Sequence, residues 1–308
     1  MIICITPNPA IDRTVLLPSL TVGNVHRAEK VIVAAGGKGL NVARAIRTLG
    51  GESLCMGFTG GHAGHLLADL AQNEGLNSSW TWVDSETRTC TILISPNGDA
   101  TVVNEPGLPV SKSDWKRLGR DARKCISSGK LVCISGSLPP QSSADEMQGL
   151  LSVLADSGKP VWVDTSGAVL DTVLDHNGVC VKVNGNEIGA SLGFEVNDLA
   201  SAKRALTILG ERGVKACVIT LGAAGALLAT ADGRWHAQGP RVRVVSTVGS
   251  GDSFLGGLVN ALDGGGDWSA ALRDAVAAGT ANALSAGGGQ FTLQEFNSIR
   301  EQIQIQAW

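Results

Sequence analysis

Val244-Val245-Ser246-Thr247-Val248-Gly249-Ser250-Gly251-Asp252-Ser253-Phe254 is the stretch whose reading decides the fold. A β-branched run ends in two glycines that bracket a serine. An aspartate follows at once, and then the apolar helical pattern Phe254-Leu255-Gly256-Gly257-Leu258-Val259. The pattern predicts a strand, a tight turn and a helix start. Amides at a helix start point outward unpaired, and the helix dipole favours negative charge there. Glycine lets that backbone approach a bulky anion. A carboxylate on the same turn would repel the anion unless it had another task. Taking a proton from a nucleophile that attacks a phosphate is such a task. The simpler reading makes Asp252 a helix N-cap, worth about 1 kcal/mol. The adjoining Gly-Ser-Gly turn makes capping an insufficient account.

Outward from this turn, short apolar runs alternate with amphipathic ones. Leu131–Ser135, Val161–Asp164, Val179–Asn184 and Cys217–Leu221 read as strands. Glu146–Ala155 and Asn197–Leu209 read as helices, the second with Asp198 near its start and Gly210 near its end. This alternation predicts an α/β fold with a parallel sheet covered on both faces. In such sheets ligands bind beyond the carboxyl ends of the strands. Asp164, Asn184, Thr220 and the Gly249 turn all fall at such ends. The first third differs. Arg13–Leu17, Lys30–Val33, Thr87–Ser95 and Ala100–Val103 carry strand patterns with no helix directly after them. Pro96-Asn97-Gly98-Asp99 joins the last two as a hairpin turn. These pieces predict a small separate sheet that edges or covers the site.

The 308 residues suit one large α/β domain, and a net charge of −3 implies no nucleic-acid or membrane field. No apolar run approaches the ~20 residues of a membrane span. The start Met1-Ile2-Ile3-Cys4-Ile5-Thr6-Pro7 lacks the basic region of a signal peptide. Seven cysteines are scattered singly among apolar neighbours, which predicts reduced thiols in a cytoplasmic protein.

A second glycine cluster, Gly36-Gly37-Lys38-Gly39-Leu40-Asn41-Val42-Ala43, again precedes a helical pattern, which stops at Gly50-Gly51. It lacks the G-K-[ST] spacing of a P-loop. Its glycines could merely permit a sharp helix entry. Lys38 and Asn41 add donors suited to a small polyhydroxylated ligand. This cluster resembles the N-terminal signature of the PfkB (ribokinase-like) carbohydrate kinases, and Thr247–Ser253 resembles their C-terminal signature. The resemblance covers nearly the whole chain. Thr6-Pro7-Asn8-Pro9-Ala10-Ile11-Asp12, Ser135-Gly136-Ser137-Leu138-Pro139-Pro140 and Asp164-Thr165-Ser166-Gly167 narrow it to the phosphosugar kinases. Lysine in the first motif is typical of the 1-phosphofructokinase and tagatose-6-phosphate kinase branches.

The resemblance implies a ribokinase-like three-layer α/β/α domain over 1–308, with a β-lid from about 12–34 and 87–104 and a homodimer formed through that lid. It implies transfer from ATP, with Mg2+, to a ketohexose phosphate. Fructose 1-phosphate to fructose 1,6-bisphosphate comes first, with tagatose 6-phosphate or fructose 6-phosphate as the alternatives. Asp252 would be the general base, and Gly249, Ser250 and Gly251 the anion hole. Asp12, Gly37, Asn41 and Ser137 would meet the sugar. Arg88, helped by Arg27 and Lys38, would hold its phosphate. Lys182, Asn184, Thr220, Gly222, Gly225, Val276, Gly279 and Asn282 would bind the nucleotide. Glu187, with Asn184 in an N-x-x-E pattern, would influence magnesium through water. The chain departs from the pattern at Ser250, where alanine is common, at Val183, where proline is, and at His26, where asparagine is.

Read alone, each residue also has a plainer account. Arg88 could be a surface strand residue, Lys38 a solvated ammonium, and Glu187 a first-turn helix charge. Asp12 could cap a Pro-Asn-Pro turn. His62 and His65 read as a loop-to-helix surface rather than a metal pair. A dinucleotide oxidoreductase is disfavoured, because no G-x-G-x-x-G follows the first strand. Asp252 also argues against a non-catalytic sugar- or nucleotide-binding regulator.

Overall fold

Apolar runs bounded by glycine and polar residues become buried strands, and the amphipathic runs between them become helices. The computed structural model describes residues 1–95 and 100–308. Its strands are β1 (Ile2–Thr6), β2 (Ala10–Leu16), β3 (Lys30–Gly36), β4 (Ser53–Thr59), β5 (Asn77–Trp82), β6 (Arg88–Ile94), β7 (Ala100–Asn104), β8 (Leu131–Ser135), β9 (Val161–Asp164), β10 (Cys180–Asn184), β11 (Ala216–Thr220), β12 (Ala226–Thr230), β13 (Gly233–Gln238) and β14 (Gln304–Ala307). Its helices are α1 (Lys38–Thr48), α2 (Gly61–Asn73), α3 (Lys112–Ile126), α4 (Ala144–Ala155), α5 (Ala168–Leu174), α6 (Gly185–Leu192), α7 (Leu199–Glu211), α8 (Ser250–Asp263), α9 (Trp268–Asn282) and α10 (Leu293–Arg300).

Ten strands form one sheet in the order β14-β13-β12-β11-β10-β9-β8-β1-β4-β5. Pairing is parallel from β5 through β11 and antiparallel from β11 to β14. The middle strand β1 is buried at every position. Its alternate residues feed two cores. Ile2 and Cys4 pack with residues of α1, α2, α8, α9 and α10. Ile3 and Ile5 pack with residues of α3 to α7. Helices thus cover both faces of a mostly parallel sheet, giving a ribokinase-like α/β arrangement. The second sheet, β3-β2-β6-β7, stands apart from the first. No helix among the described residues is long and apolar enough to cross a membrane.

Leu131–Ser135 and Val161–Asp164 have the predicted bounds, and the other two predicted strands shift by one residue. The helix expected from Glu146 begins at Ala144, because Ser143 and Glu146 form a capping box before it. The helix expected over Asn197–Leu209 runs Leu199–Glu211, with Asp198 as its N-cap. The four early strands are those of the small sheet. The Pro96-Asn97-Gly98-Asp99 turn lies outside the described residues.

One expectation fails. Val244–Val248 is not a strand. Val244 is 52% and Val245 40% exposed. β-propensity is expressed against a neighbouring strand. The preceding strand, β13, is already paired on both sides, with β12 and β14. The turn and helix hold without it: Gly249 is the left-handed N-cap of α8, with φ 77°.

Two adjacent glycines seat α8 between its neighbours. A Cβ on Gly256 would lie 2.7 Å from Ala45 Cβ and 2.9 Å from the Val42 carbonyl of α1. One on Gly257 would lie 2.6 Å from the Asp274 carbonyl and 2.9 Å from Ala278 Cβ of α9. Gly256→Ala should therefore push α1 and α8 apart. Overpacking costs about 1–3 kcal/mol, of which alanine's better helix propensity offsets up to about 1 kcal/mol. Urea denaturation should show a net loss of stability, and a variant as stable as the parent would count against this tight contact.

Candidate active site

The amino end of α8 is held from behind. Asn282 is fully buried at the end of α9. Its Nδ2 donates to the Val248 carbonyl at 2.8 Å and to Ser250 Oγ at 3.3 Å. Its Oδ1 accepts from Ser253 Oγ and Gln290 N, each at 3.1 Å. A Cβ on Gly249 would meet Gly288 Cα at 2.4 Å, so this position needs glycine for space as well as for its positive φ. The amides of Gly251 and Asp252 lie in the first helical turn, with no carbonyl one turn back.

Two cavities meet at this turn, and Gly251 lines both. The first, of about 430 Å³, is walled by charged groups, among them Asp12, Lys38, Arg88, Lys182, Glu187 and Asp252. Gly37, Asn41, Ser137, Asn184 and Gly249 also line it. The second, of about 520 Å³, has Thr220, Gly222, Gly225, Ser250, Val276 and Gly279 in its wall. Its remaining surface comes largely from Phe254, Ala283 and the irregular segment from Pro240 to Val244.

Asp252 is not the helix cap. It sits in the first turn of α8, 6% exposed, and accepts a 2.8 Å hydrogen bond from Asn41 Nδ2 of α1. Burial raises its pKa. The Lys38 ammonium opposes that rise, Asp164 adds to it, and the Asn41 bond and Lys182 oppose it. Asp164, wholly buried at the end of β9, accepts from Lys38 Nζ at 2.9 Å and Lys182 Nζ at 2.8 Å. Burial alone would raise its pKa, and the two ammoniums more than reverse this. For Lys38, burial works against the charge, but Asp164, Asp252 and Glu187 outweigh it and raise its pKa. Burial lifts Asp12 to about 6, with Arg44 and Arg88 opposing and Asp252 assisting. Gly36 makes room for Asp12, since a Cβ there would lie 2.2 Å from the carboxyl carbon.

Arg88 opens β6 and is tethered by its terminal nitrogens, to the Asn8 carbonyl at 2.9 Å and the Glu105 carbonyl at 3.1 Å. Its buried Nε has no partner among the described residues. Asn184 and Glu187 form the capping box that opens α6, with both bonds at 2.9 Å. They also face the first cavity. Lys182, expected on the nucleotide side, lines the first cavity. Two expected residues line neither cavity. Arg27 lies on the exposed segment between β2 and β3, and the Asn282 amide is occupied by the turn it supports. His62 and His65 lie on α2, the His65 ring 4.5 Å from that of Trp82. Among the described residues no group of three or more His, Cys, Asp or Glu could hold a metal.

Sequence reasoning assigned no task to Asp164 or Arg44. Each had a signal: a charge closing the buried run Val161-Trp162-Val163, and a charge inside Val42-Ala43-Arg44-Ala45-Ile46. Asp164→Ala would leave the Lys182 ammonium buried without its counter-charge, whereas half-exposed Lys38 can turn to water. Breaking such a buried pair costs about 3–5 kcal/mol. The folded pKa of Asp164 is depressed, so its contribution is present above the ordinary carboxylate range and is lost as pH falls through the folded value. Denaturation at neutral and acidic pH should show the cost of Asp164→Ala shrinking with acid. A pH-independent cost would rule out this electrostatic origin.

The model of the pfkB family of carbohydrate kinases matches residues 5–294. Among solved structures, phosphofructokinase-2 from Escherichia coli in complex with substrates and products is 28% identical, with 98% of each chain covered and a TM-score of 0.90. The same enzyme in complex with potassium is 27% identical, with 98% of each chain covered and a TM-score of 0.91. A possible 1-phosphofructokinase from Thermotoga maritima superposes over 100% of this chain and 99% of its own, with a TM-score of 0.87. At 23% identity that likeness concerns the fold alone. The paired glycine turns stand within the matched region, and the chain belongs to the pfkB family of carbohydrate kinases.

Proposed function

We propose that this sugar kinase transfers the γ-phosphoryl group of ATP to a hydroxyl of a ketohexose phosphate, with fructose 1-phosphate to fructose 1,6-bisphosphate as the first choice. The observation that carries the reading is the position of Asp252, a buried carboxylate where a charged cavity and a less polar one meet. Asp252 takes the proton of the attacking hydroxyl. The hydroxyl oxygen bonds to the γ-phosphorus as the bond to ADP breaks. The first-turn amides of α8, with Lys182 beside them, face the migrating group; a Cβ on Gly251 would lie 2.6 Å from Lys182 Nζ. Phosphoryl transfer depends on such positioning and charge stabilisation.

The first cavity takes the sugar in this reading. Asp12, Asn41, Gly37 and Ser137 meet its hydroxyls, and Arg88 and Lys38 its phosphate. The place of Arg88 in the cavity wall supports that role, since a guanidinium suits a phosphate. Arg27 is left out, as it lies away from the cavity. The second cavity takes the nucleotide, with Thr220, Gly222 and Gly225 near its phosphates and Val276, Gly279 and Phe254 near its base. Magnesium keeps several waters and needs only one or two carboxylates beside the substrate phosphates. Glu187 in the cavity wall fits that requirement, with Asn184 fixing it. When bound, the ion would neutralise charge on the phosphate oxygens.

We further infer a homodimer through the small sheet, which acts as a lid. Val31, Val33, Val102 and Val103 on its strands are 37–57% exposed, and Val22 and Val25 on its loop more than 90%. Such apolar surface suits an interface. All seven cysteines are free and six are buried, which supports a cytoplasmic setting. The likeness to the E. coli enzyme, also solved in complex with fructose-6-phosphate at 27% identity, keeps 6-phosphofructokinase as a second reading, and Lys38 in the first glycine motif keeps tagatose-6-phosphate kinase beside it.

Coupled ADP release over fructose 1-phosphate, fructose 6-phosphate, tagatose 6-phosphate and unphosphorylated sugars should give the highest kcat/KM on fructose 1-phosphate. Equal turnover on unphosphorylated sugars would sink the sugar-phosphate reading. Asp252→Asn should lower turnover by about 10²–10⁴-fold, the usual worth of a general base. Its folded pKa is raised, so the ionised form destabilises the protein as pH rises through that value. The variant should therefore melt at or above the parent temperature at neutral pH. Retention of near-parental turnover would remove Asp252 as the base.

A further inference from the structure

Arg44 lies 8% exposed inside α1, three residues beyond Asn41. Each of its five N–H groups has an acceptor. Nε donates to Glu74 Oε2 at 2.8 Å, and Nη2 donates to the same oxygen and to the Ala35 carbonyl. Nη1 donates to the Gly288 carbonyl and to Asn41 Oδ1, both at 2.8 Å. A guanidinium has five donors and no acceptor, so this one has nothing left to offer a ligand. It is absent from the walls of both cavities. Its contact with Asn41 nevertheless bears on the chemistry, because the other end of that amide donates to Asp252 Oδ2 at 2.8 Å.

We propose that Arg44 is a positioning residue for the general base: by donating to Asn41 Oδ1 it fixes the amide so that N–H, not C=O, faces Asp252. An asparagine amide can turn over and exchange its donor and acceptor ends. Beside an ionised carboxylate the donor end is preferred in any case. Beside a protonated one the carbonyl end would serve equally well, and the amide would then stabilise the inactive form of the base. Arg44 forbids that orientation, since a turned amide would set N–H against N–H. Asn41 is left as a permanent donor, which favours the ionised base and counters the effect of burial. The anchors of Arg44 come from three places, Glu74 after α2, Ala35 on β3 and Gly288 beside the Gly249 turn. The guanidinium therefore cannot follow the amide if it rotates.

This inference rests on the assignment of Asp252 as the base, and the test separates the two. Asp252 is faced by Lys38 from α1, Lys182 from β10 and Asp164 from β9, and by Asp12 from β2 at longer range. Arg44 also acts on Asp12 through its charge. Arg44→Lys keeps that charge and removes the fork. It should move the acid limb of the kcat/KM profile to higher pH by up to about one unit, the worth of the neutral hydrogen bond that a turned amide offers the protonated base. In an Asn41→Ala background the same change should leave the limb in place. Glu74→Gln weakens the anchor and should lower the melting temperature without moving the limb. A shift by Glu74→Gln equal to that of Arg44→Lys, or one that persists without Asn41, would overturn the inference. If Arg44→Lys does not fold, Arg44→Met is read as the difference between its shifts in the Asn41 and Asn41→Ala backgrounds, which cancels the lost charge beside Asp12. Titration of the Asp252 carboxyl carbon by NMR reads the shift without turnover. A wild-type protein inactive on every sugar would therefore sink the kinase reading and leave Arg44 testable.

Discussion

The hydrogen bond from Asn41 to Asp252 spans two helices far apart in sequence, and the site depends on their closeness. Gly256 permits that closeness where α8 crosses Val42 and Ala45 of α1. Gly257 does the same on the other side, against α9, whose last residue, Asn282, holds the Gly249 turn. The Asp252 carboxylate and the amides beside it are therefore placed by helix packing in the core. A rigid support of this kind is what a reaction based on positioning requires.

Charge gives the site its second constraint. Asp12, Asp164, Asp252 and Glu187 share a small region with Lys38, Lys182, Arg44 and Arg88. The lysines do not float in solvent. Asp164 holds both, one from the start of α1 and one from β10. A single buried carboxylate thus fixes ammoniums on two walls of the cavity. The aspartates at the cavity surface, Asp12 and Asp252, instead take up protons more readily than usual, because burial and a neighbouring carboxylate, Asp252 for Asp12 and Asp164 for Asp252, outweigh their cationic neighbours.

The large sheet was legible because its strands are buried on both faces and read as unbroken apolar runs, as in Leu131–Ser135. Both glycine turns were legible because only glycine meets their geometric demands. Val244–Val248 misled for a physical reason: β-branched residues signal a strand only if a partner strand has a free edge, and pairing is not written locally. The same limit hid Arg44 and the true place of Asn282. Nothing near either residue names Gly288, Glu74 or Val248 as its partner. Arg27 matched a pattern by its neighbours in sequence, while the fold left it on an exposed loop.

The separateness of the small sheet has a consequence for how such a kinase changes over generations. Asp12 and Arg88 sit on β2 and β6 of that sheet, whereas Asp252 and the amides beside it belong to a helix packed in the main body. If Asp12 and Arg88 meet the acceptor and Asp252 takes its proton, as proposed, drift in the small sheet can reshape recognition of the acceptor while leaving Asp252 and the amides beside it in place. Drift in the core has no such freedom, since α1, α8 and α9 interlock through glycines. The architecture is in this sense modular: new acceptors can be tried on an unchanged engine.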